Sequence, residues 1–179
     1  IRFIFLYYCN GDCPMSTLKV DTIQGKTTAG TVQMPSGSVI QFIQTTGTTQ
    51  TTVTSIETWT DVVPTATITP KFSNSKIFVK HSAGGFGYGS SSSFGIRILR
   101  GSTTIASRSR HGYASSNSTY YIPIPWEIDF LDSPSTTSAT TYKIQIYLEK
   151  SGNLRHSSDD ADVSPSTSIA TTTLMEIAG

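Results

Sequence analysis

The strongest structural signal in the sequence is an alternation of side chains over residues 120–131, Y-Y-I-P-I-P-W-E-I-D-F-L. The even positions are large and apolar: Tyr120, Ile122, Ile124, Trp126, Ile128 and Phe130. Because successive side chains of a β-strand point to opposite faces, this pattern predicts a strand with one buried face. Residues 142–148 repeat the pattern after a Ser/Thr-rich segment that is typical of a loop. The two runs therefore predict an antiparallel hairpin in the middle of a β-sheet.

Shorter alternating runs continue this signal from Gly37 to the end of the chain. They are separated by Gly, Ser, Asn and Pro, and we find no comparably long stretch of helical period. This arrangement predicts an all-β fold, a jelly-roll-like antiparallel β-sandwich with about eight core strands. Pro123 and Pro125 cannot donate ladder hydrogen bonds, so they predict a sheet edge or a bulge. Three segments are expected to be exposed loops, namely residues 83–93, 109–119 and 151–168.

The N-terminal part of the chain differs from this predicted sandwich, which we assign to residues 37–179. Residues 1–14 are apolar and aromatic, and they hold the two cysteines. We interpret them either as an extension upstream of a natural start at Met15 or as a strand buried against a neighbour. Residues 15–36 are polar and interrupted by glycine, which predicts an extended arm ordered on a partner subunit or a flexible leader. The thiol-free remainder must be stabilised by packing or assembly.

Composition excludes several classes of partner. The net charge is +1 and only 14% of residues are charged, so no strong field attracts nucleic acid or an acidic membrane. We find no apolar run of the roughly 18 residues that a membrane-spanning helix needs. The 36% of apolar residues is enough to form a core, which argues against disorder.

Candidate catalytic and metal-binding residues are few. Glu127 and Asp129 share one face of a strand, as glycosidase carboxylates could, but a solvated strand face explains them and no third group is identifiable. Residues 159–162 carry three aspartates without the glycine and terminal glutamate of an EF-hand loop, which favours a solvated acidic loop over a calcium site. The histidines lack paired zinc-ligand spacing and are expected on the surface or in loops: His81, His111 and His156. We therefore predict no enzyme activity, no metal and no cofactor.

One concentration of basic and aromatic residues is a candidate binding site. The candidate ligand-binding residues are Arg108, Arg110, His111, Tyr113 and Tyr120, with Arg97 and Arg100 nearby in sequence. Arginine and aromatic rings together could bind a glycan or an anionic surface polymer. The alternative is pairing with acidic residues of a neighbouring subunit, because both residue types are enriched in protein interfaces.

Three segments carry a resemblance to a known family. Residues 15–41 (M-S-T-L-K-V-D-T-I-Q-G-K-T-T-A-G-T-V-Q-M-P-S-G-S-V-I-Q) resemble the opening of tail-fibre and related virion proteins of marine phages, especially cyanophages. Residues 130–147 and the ending T-T-L-M-E-I-A are similar to the C-terminal domain of the same family. The resemblance covers about Met15 to Gly179, leaves residues 1–14 outside, and brings no agreed list of binding residues.

The resemblance implies a non-enzymatic protein of the virion surface. It implies a homotrimeric tail fibre or similar appendage, with an N-terminal part that attaches to other virion proteins and a β-rich distal domain. Recognition of host surface carbohydrate would then fall to exposed loops of the sandwich. The alternative is a capsid decoration, head fibre or self-assembling surface filament that binds no receptor.

Overall fold

A computed structural model describes residues 34–89, 92–114, 120–150, 152–157 and 168–179. Within them the chain forms twelve β-strands. In chain order they are β1 (Val39–Gly47), β2 (Thr51–Val53), β3 (Thr58–Ile68), β4 (Lys76–Ala83), β5 (Gly85–Gly89), β6 (Ser92–Arg100), β7 (Thr103–Ala114), β8 (Tyr120–Pro123), β9 (Trp126–Asp132), β10 (Thr140–Leu148), β11 (Asn153–His156) and β12 (Ala170–Ile177). The predicted extension and most of the predicted arm lie outside the described residues.

The long strands form two antiparallel four-stranded sheets. Sheet I has the order β1-β12-β4-β9, and sheet II has the order β3-β10-β6-β7. The chain passes from one of these sheets to the other at nearly every step. In each sheet the last strand along the chain lies beside the first, so β12 is next to β1 and β10 is next to β3. This is the eight-stranded jelly roll, in which two Greek keys form a sandwich. The predicted fold class is confirmed.

The four short strands form sheet III, with the order β2-β11-β5-β8. Each of them is a continuation of a long strand, since β5 follows β4 after one residue and β8 precedes β9 by two. In the same way β2 precedes β3, and β11 follows β10. Sheet III therefore prolongs neighbouring strands of both main sheets.

The core follows the predicted alternation. The even positions of β10 are all buried: Tyr142, Ile144, Ile146 and Leu148. Trp126 and Ile128 are buried in β9 as predicted, whereas Phe130 near the end of this edge strand is 37% exposed. These side chains join residues from both main sheets and sheet III in one hydrophobic core. Period-two patterning thus identified the buried face of β10 and most of that of β9.

The predicted central hairpin is wrong. β9 pairs with β4 in sheet I, whereas β10 lies between β3 and β6 in sheet II. The two strongest alternating runs therefore belong to opposite sheets of the sandwich. The proline prediction is confirmed, because β8 and β9 are both edge strands and the chain leaves the ladder at residues 124–125 between them.

The three segments predicted as loops are partly strands. β5 occupies residues 85–89, β7 extends to Ala114, and β11 occupies residues 153–156. Short polar residues and glycine in these segments misled the prediction, because strand formation here is decided by pairing with neighbouring strands. The acidic residues 159–162 lie outside the described residues. None of the described residues folds into an apolar helix of bilayer-spanning length.

Candidate binding surface on the outer face of sheet II

The outer face of sheet II carries a group of aromatic and polar side chains on its three adjacent strands β3, β10 and β6. Strand register aligns Trp59 with Tyr147, and Asp61 with Gln145. It also aligns Gln145 with Arg97. Register partners point to the same face, so they form an aromatic row and a polar row. We call this group the Trp59 platform, and its members are Trp59, Asp61, Arg97, Lys143, Gln145 and Tyr147.

The aromatic row is positioned by a glycine. The ring centroids of Trp59 and Tyr147 lie 5.1 Å apart, with a tilt of 36° between the rings. A Cβ atom at Gly95 would lie only 2.9 Å from the outer edge of the Trp59 indole. The indole therefore reaches from β3 across β10 to β6, and glycine at position 95 leaves the room for it.

The polar row is a continuous chain of hydrogen bonds. The Nε–H of Arg97 donates to Oε1 of Gln145 at 2.7 Å. The side-chain amide of Gln145 donates to Oδ1 of Asp61 at 2.6 Å, and Nζ of Lys143 lies 3.2 Å from Oδ2 of Asp61. Each residue restrains the next, so the row is ordered before any ligand arrives.

A cation–π contact joins the two rows. The guanidinium carbon of Arg97 lies 4.3 Å from the Trp59 ring centroid. Partial burial beside the sheet lowers the pKa of Arg97, and the Asp61 carboxylate raises it in part. An arginine with so high an ordinary pKa keeps its charge at neutral pH, which the contact with the indole requires.

The platform retains binding capacity in its part-exposed groups. Asp61 is exposed, and the other five members are partly exposed. A guanidinium has five N–H donors, of which the Gln145 bond uses one, and a lysine ammonium has three. Aromatic rings of this kind stack on the C–H face of a sugar ring, while carboxylate, amide and guanidinium groups bond its hydroxyls. The arrangement therefore suits a carbohydrate.

The residues predicted from sequence occupy a different part of the fold. Arg108 on β7 reaches toward β9, where its Nη1 lies 3.5 Å from the carbonyl oxygen of Glu127 and its Nη2 lies 3.7 Å from Asp129. It therefore bridges the edge strands of the two main sheets. The remaining candidates are in the backbone of β7 (Arg110, His111, Tyr113) and β8 (Tyr120), and their side chains lie outside the described residues. Their role in binding stays a prediction.

Of the basic residues that sequence reasoning grouped together, Arg97 belongs to the platform. Arg100 instead binds Asp132 through two contacts of 2.9 Å. Sequence reasoning missed Trp59, Gln145 and Tyr147 as site residues. The available signal was the polar face of the run 142–148, where Gln145 and Tyr147 alternate with buried side chains.

The other chemical candidates occupy separate places. Glu127 and Asp129 are exposed on β9, and Ser82 donates to Glu127 at 3.3 Å. Among the residues with described positions, no three His, Cys, Asp or Glu side chains are grouped to hold a metal ion. The expectation of surface histidines is wrong for two of them, because His81 and His156 are fully buried and bonded to each other.

Neither the models of known protein families nor the curated protein sequences gave a match. Solved structures similar to the chain include infectious bursal disease virus, Gx strain, with 14% identity over 78% of this chain and 43% of that chain, at a TM-score of 0.33. They also include T=1 particles derived from infectious bursal virus, with 12% identity over 88% and 44%, at a TM-score of 0.34.

A third similar solved structure is the VP2 subviral particle of the same virus, with 12% identity over 77% of this chain and 38% of that chain, at a TM-score of 0.33. The chain spans less than half the length of each of these three chains. Scores this low carry no argument about function, so the fold assignment rests on the strand order given above. The resemblance to marine phage fibres stays a prediction.

Proposed function

We propose that the protein is a non-enzymatic virion component, a tail fibre or similar appendage, that binds host surface carbohydrate through the Trp59 platform. The single observation behind the binding role is the ordered pair of rows on the outer face of sheet II. The virion role is supported by the sequence resemblance. The sheet face replaces the predicted loops as the proposed place of recognition.

The spacing of the rows fits consecutive sugar units. Along β10 the outward-facing residues Tyr147, Gln145 and Lys143 are two positions apart, which is about 7 Å in an antiparallel strand. A sugar ring stacked at the aromatic row would place its neighbour over the polar row, where Asp61 and Arg97 offer an acceptor and donors. We therefore expect an oligosaccharide lying along β10 to bind better than a single sugar.

The proposed self-assembly is supported by the outer face of sheet I. An apolar row crosses all four strands in register, through Phe42, Met175, Phe78 and Leu131. Phe42 is 55% exposed and Leu131 is 45% exposed. An open depression of about 350 Å³ lies beside this row. Contiguous exposed apolar surface of this kind marks protein contacts, and we assign it to another copy of the chain.

Carbohydrate binding is tested on an array of neutral and acidic oligosaccharides, followed by titration calorimetry of the best ligands. Trp59→Ala should weaken binding about tenfold or more, because truncating a stacked aromatic anchor costs on the order of 1–2 kcal/mol. Tyr88→Ala removes a part-exposed aromatic ring from sheet III and serves as the matched control. Equal binding by the wild type and Trp59→Ala would contradict the assignment.

Self-assembly is tested by sedimentation velocity of the full chain. The expected species is a trimer, and Phe42→Ser with Leu131→Ser should shift it toward monomer. A wild-type monomer at all concentrations would contradict the assembly role.

A capsid decoration without receptor binding is the second candidate. The observation that favours it is the platform composition, since Trp, Tyr and Arg are enriched at protein interfaces. In that case Trp59→Ala would shift the sedimentation coefficient, and no oligosaccharide would bind the wild type.

A further inference from the structure

Two fully buried histidines meet in the interior of the sandwich, outside the proposed binding surface. His81 lies on β4 and His156 ends β11, and their Nε2 atoms are 2.9 Å apart. The ring centroids are 5.1 Å apart, so the two nitrogens lie close to the line between the centroids and the rings meet edge to edge. This geometry is that of an N–H···N hydrogen bond.

The direction of that bond follows from the residues around it. The hydroxyl of Thr172 donates to the carbonyl oxygen of Pro64 at 2.8 Å. It therefore accepts a hydrogen bond from Nδ1–H of His81, which lies 2.9 Å away. With its proton on Nδ1, neutral His81 has an unprotonated Nε2, so His156 donates from its own Nε2. Nδ1 of His156 is then a bare acceptor, buried and without a hydrogen-bond partner among the described residues.

This chain of hydrogen bonds is complete with two neutral imidazoles and has no place for a further proton. A proton added at Nε2 of His81 would set two N–H groups against each other at 2.9 Å. A proton added at Nδ1 of His156 would create a buried charged donor with no acceptor among the described residues. Either event is costly in an interior that excludes water.

These hydrogen bonds link all three sheets at one point. Pro64 belongs to β3 of sheet II, Thr172 and His81 belong to β12 and β4 of sheet I, and His156 belongs to β11 of sheet III. Just beyond His156, the amide of Ser157 donates to the carbonyl oxygen of Gly84 at 2.9 Å. The pair therefore lies where β11 is fastened to the main sandwich.

We propose that the His81–His156 pair is an acid-released lock, which holds β11 to sheets I and II while both imidazoles are neutral and frees β11 when they are protonated. The lock is separate from the Trp59 platform and does not depend on the proposed binding role.

The electrostatic surroundings favour the neutral pair. Burial and the nearby His156 lower the pKa of His81 to about 3, and burial lowers the pKa of His156 to about 4. Charged side chains on the surrounding strands are Asp61 (β3), Lys76 and Lys80 (β4), Glu127, Asp129 and Asp132 (β9), Arg155 (β11) and Glu176 (β12). Asp132 is occupied by Arg100 and Tyr142. Strand alternation directs Lys80 and Arg155 to the opposite face from the histidines. Glu176 accepts from the amides of Lys71 and Phe72.

The sign of the pH effect follows from these values. An opened pair titrates near its ordinary pKa of 6.5, whereas the closed pair stays neutral down to about pH 4. The open state therefore binds more protons between these limits, and closure is lost as the pH falls. Linkage of two such groups raises the opening equilibrium about a hundredfold between pH 7.5 and pH 5.5.

Hydrogen exchange of the full chain measures this opening. After correction for intrinsic rates, protection of the amides in residues 153–157 should fall about a hundredfold from pH 7.5 to pH 5.5, while β10 stays protected. His81→Gln with His156→Gln removes both titrating groups and keeps side chains that can hydrogen-bond, so the change should drop to about twofold or less. Thr172→Ser keeps the hydroxyl and should behave as the wild type.

An NMR titration of the wild-type imidazoles gives a readout that does not depend on the variants folding. Two histidines should resist protonation until well below their ordinary pKa. The proposal is overturned if both titrate near pH 6.5, if residues 153–157 keep full protection at pH 5.5, or if the double glutamine variant opens as steeply as the wild type.

Discussion

Two arginines of strand β6 are each linked to an aspartate, and one of these aspartates is exposed while the other is buried. Arg97 lies on the outer face of sheet II and reaches the exposed Asp61 through Gln145. Arg100, at the end of the strand, contacts both carboxylate oxygens of Asp132 at 2.9 Å, and Asp132 is only 5% exposed. Both clusters contain an arginine and an aspartate, and they differ in how far the aspartate is buried.

The buried cluster connects the two sheets. Asp132 ends β9 of sheet I, and it also accepts a hydrogen bond of 2.8 Å from the hydroxyl of Tyr142 on β10 of sheet II. Burial and this hydrogen bond raise the pKa of Tyr142, so its hydroxyl remains a donor across the neutral and alkaline range. A buried carboxylate needs all of these partners, because losing them leaves an uncompensated charge.

The outer cluster is screened by water and contributes little to stability. Stability therefore does not explain why the side chains of the outer cluster are ordered, whereas the proposed carbohydrate site does. The comparison separates the two roles: changes in the Asp132 cluster should alter stability, and changes in the platform should alter binding.

The largest effect is expected for Asp132→Ala. It leaves part-buried Arg100 and the buried Tyr142 hydroxyl without their acceptor, which should lower the free energy of unfolding by about 3 kcal/mol. Urea unfolding followed by tryptophan fluorescence measures the midpoint at constant slope. Asp61→Ala is the matched control and should change stability by less than about 1 kcal/mol. Equal losses in the two variants would remove the distinction between the clusters.

The next effect is on binding and is expected for Gly95→Ala. The added methyl group would lie 2.9 Å from the Trp59 ring, so the indole must move off β6 and the aromatic row is disturbed. We expect oligosaccharide affinity to fall about tenfold, which is about 1.4 kcal/mol. Gly47→Ala meets nothing closer than 3.6 Å and is the control. Titration calorimetry measures both, and unchanged affinity in Gly95→Ala would show that the indole position is unimportant.

Much of the fold could be predicted from period-two alternation. The buried face of β10 was identified correctly because an apolar residue on every second position can be buried on one side of a sheet only. The pairing of β9 and β10 could not be predicted in this way. Alternation says which face of a strand is buried, but it does not say which strand lies beside it. The partner of β9 is β4, which is more than forty residues earlier in the chain.

The candidate site was harder to predict for the same reason. Trp59, Arg97 and Gln145 come from three strands far apart in sequence, and only their register brings them together. The buried histidines show the same limit. His81 and His156 are 75 residues apart, so spacing along the chain carries no sign of their contact. Sequence neighbours such as Arg97 and Arg100 are divided between an exposed cluster and a buried one.

An effect on stability smaller than that of Asp132→Ala is expected for Tyr142→Phe, which removes the hydroxyl that donates to Asp132 and keeps the ring. The lost hydrogen bond to a buried carboxylate should cost about 1–2 kcal/mol in the free energy of unfolding. Tyr147→Phe is the matched control on the same strand, because the hydroxyl of Tyr147 belongs to the outer face. A loss for Tyr147→Phe as large as that for Tyr142→Phe would contradict the assignment of stability to the buried cluster.

The smallest effect is expected for Asp61→Asn, which keeps the shape of the side chain and removes its charge. Oδ1 of Asp61 can still accept from Gln145, so the polar row loses only the attraction between the carboxylate and Lys143. An exposed ion pair of this kind is worth about 0.5 kcal/mol or less, and salt screens it. Urea midpoints of the wild type and Asp61→Asn should therefore differ slightly at low ionic strength and converge at high ionic strength. A salt-independent loss of several kcal/mol would mean that the outer cluster stabilises the sandwich as the buried one does, and its order would then need no ligand to explain it.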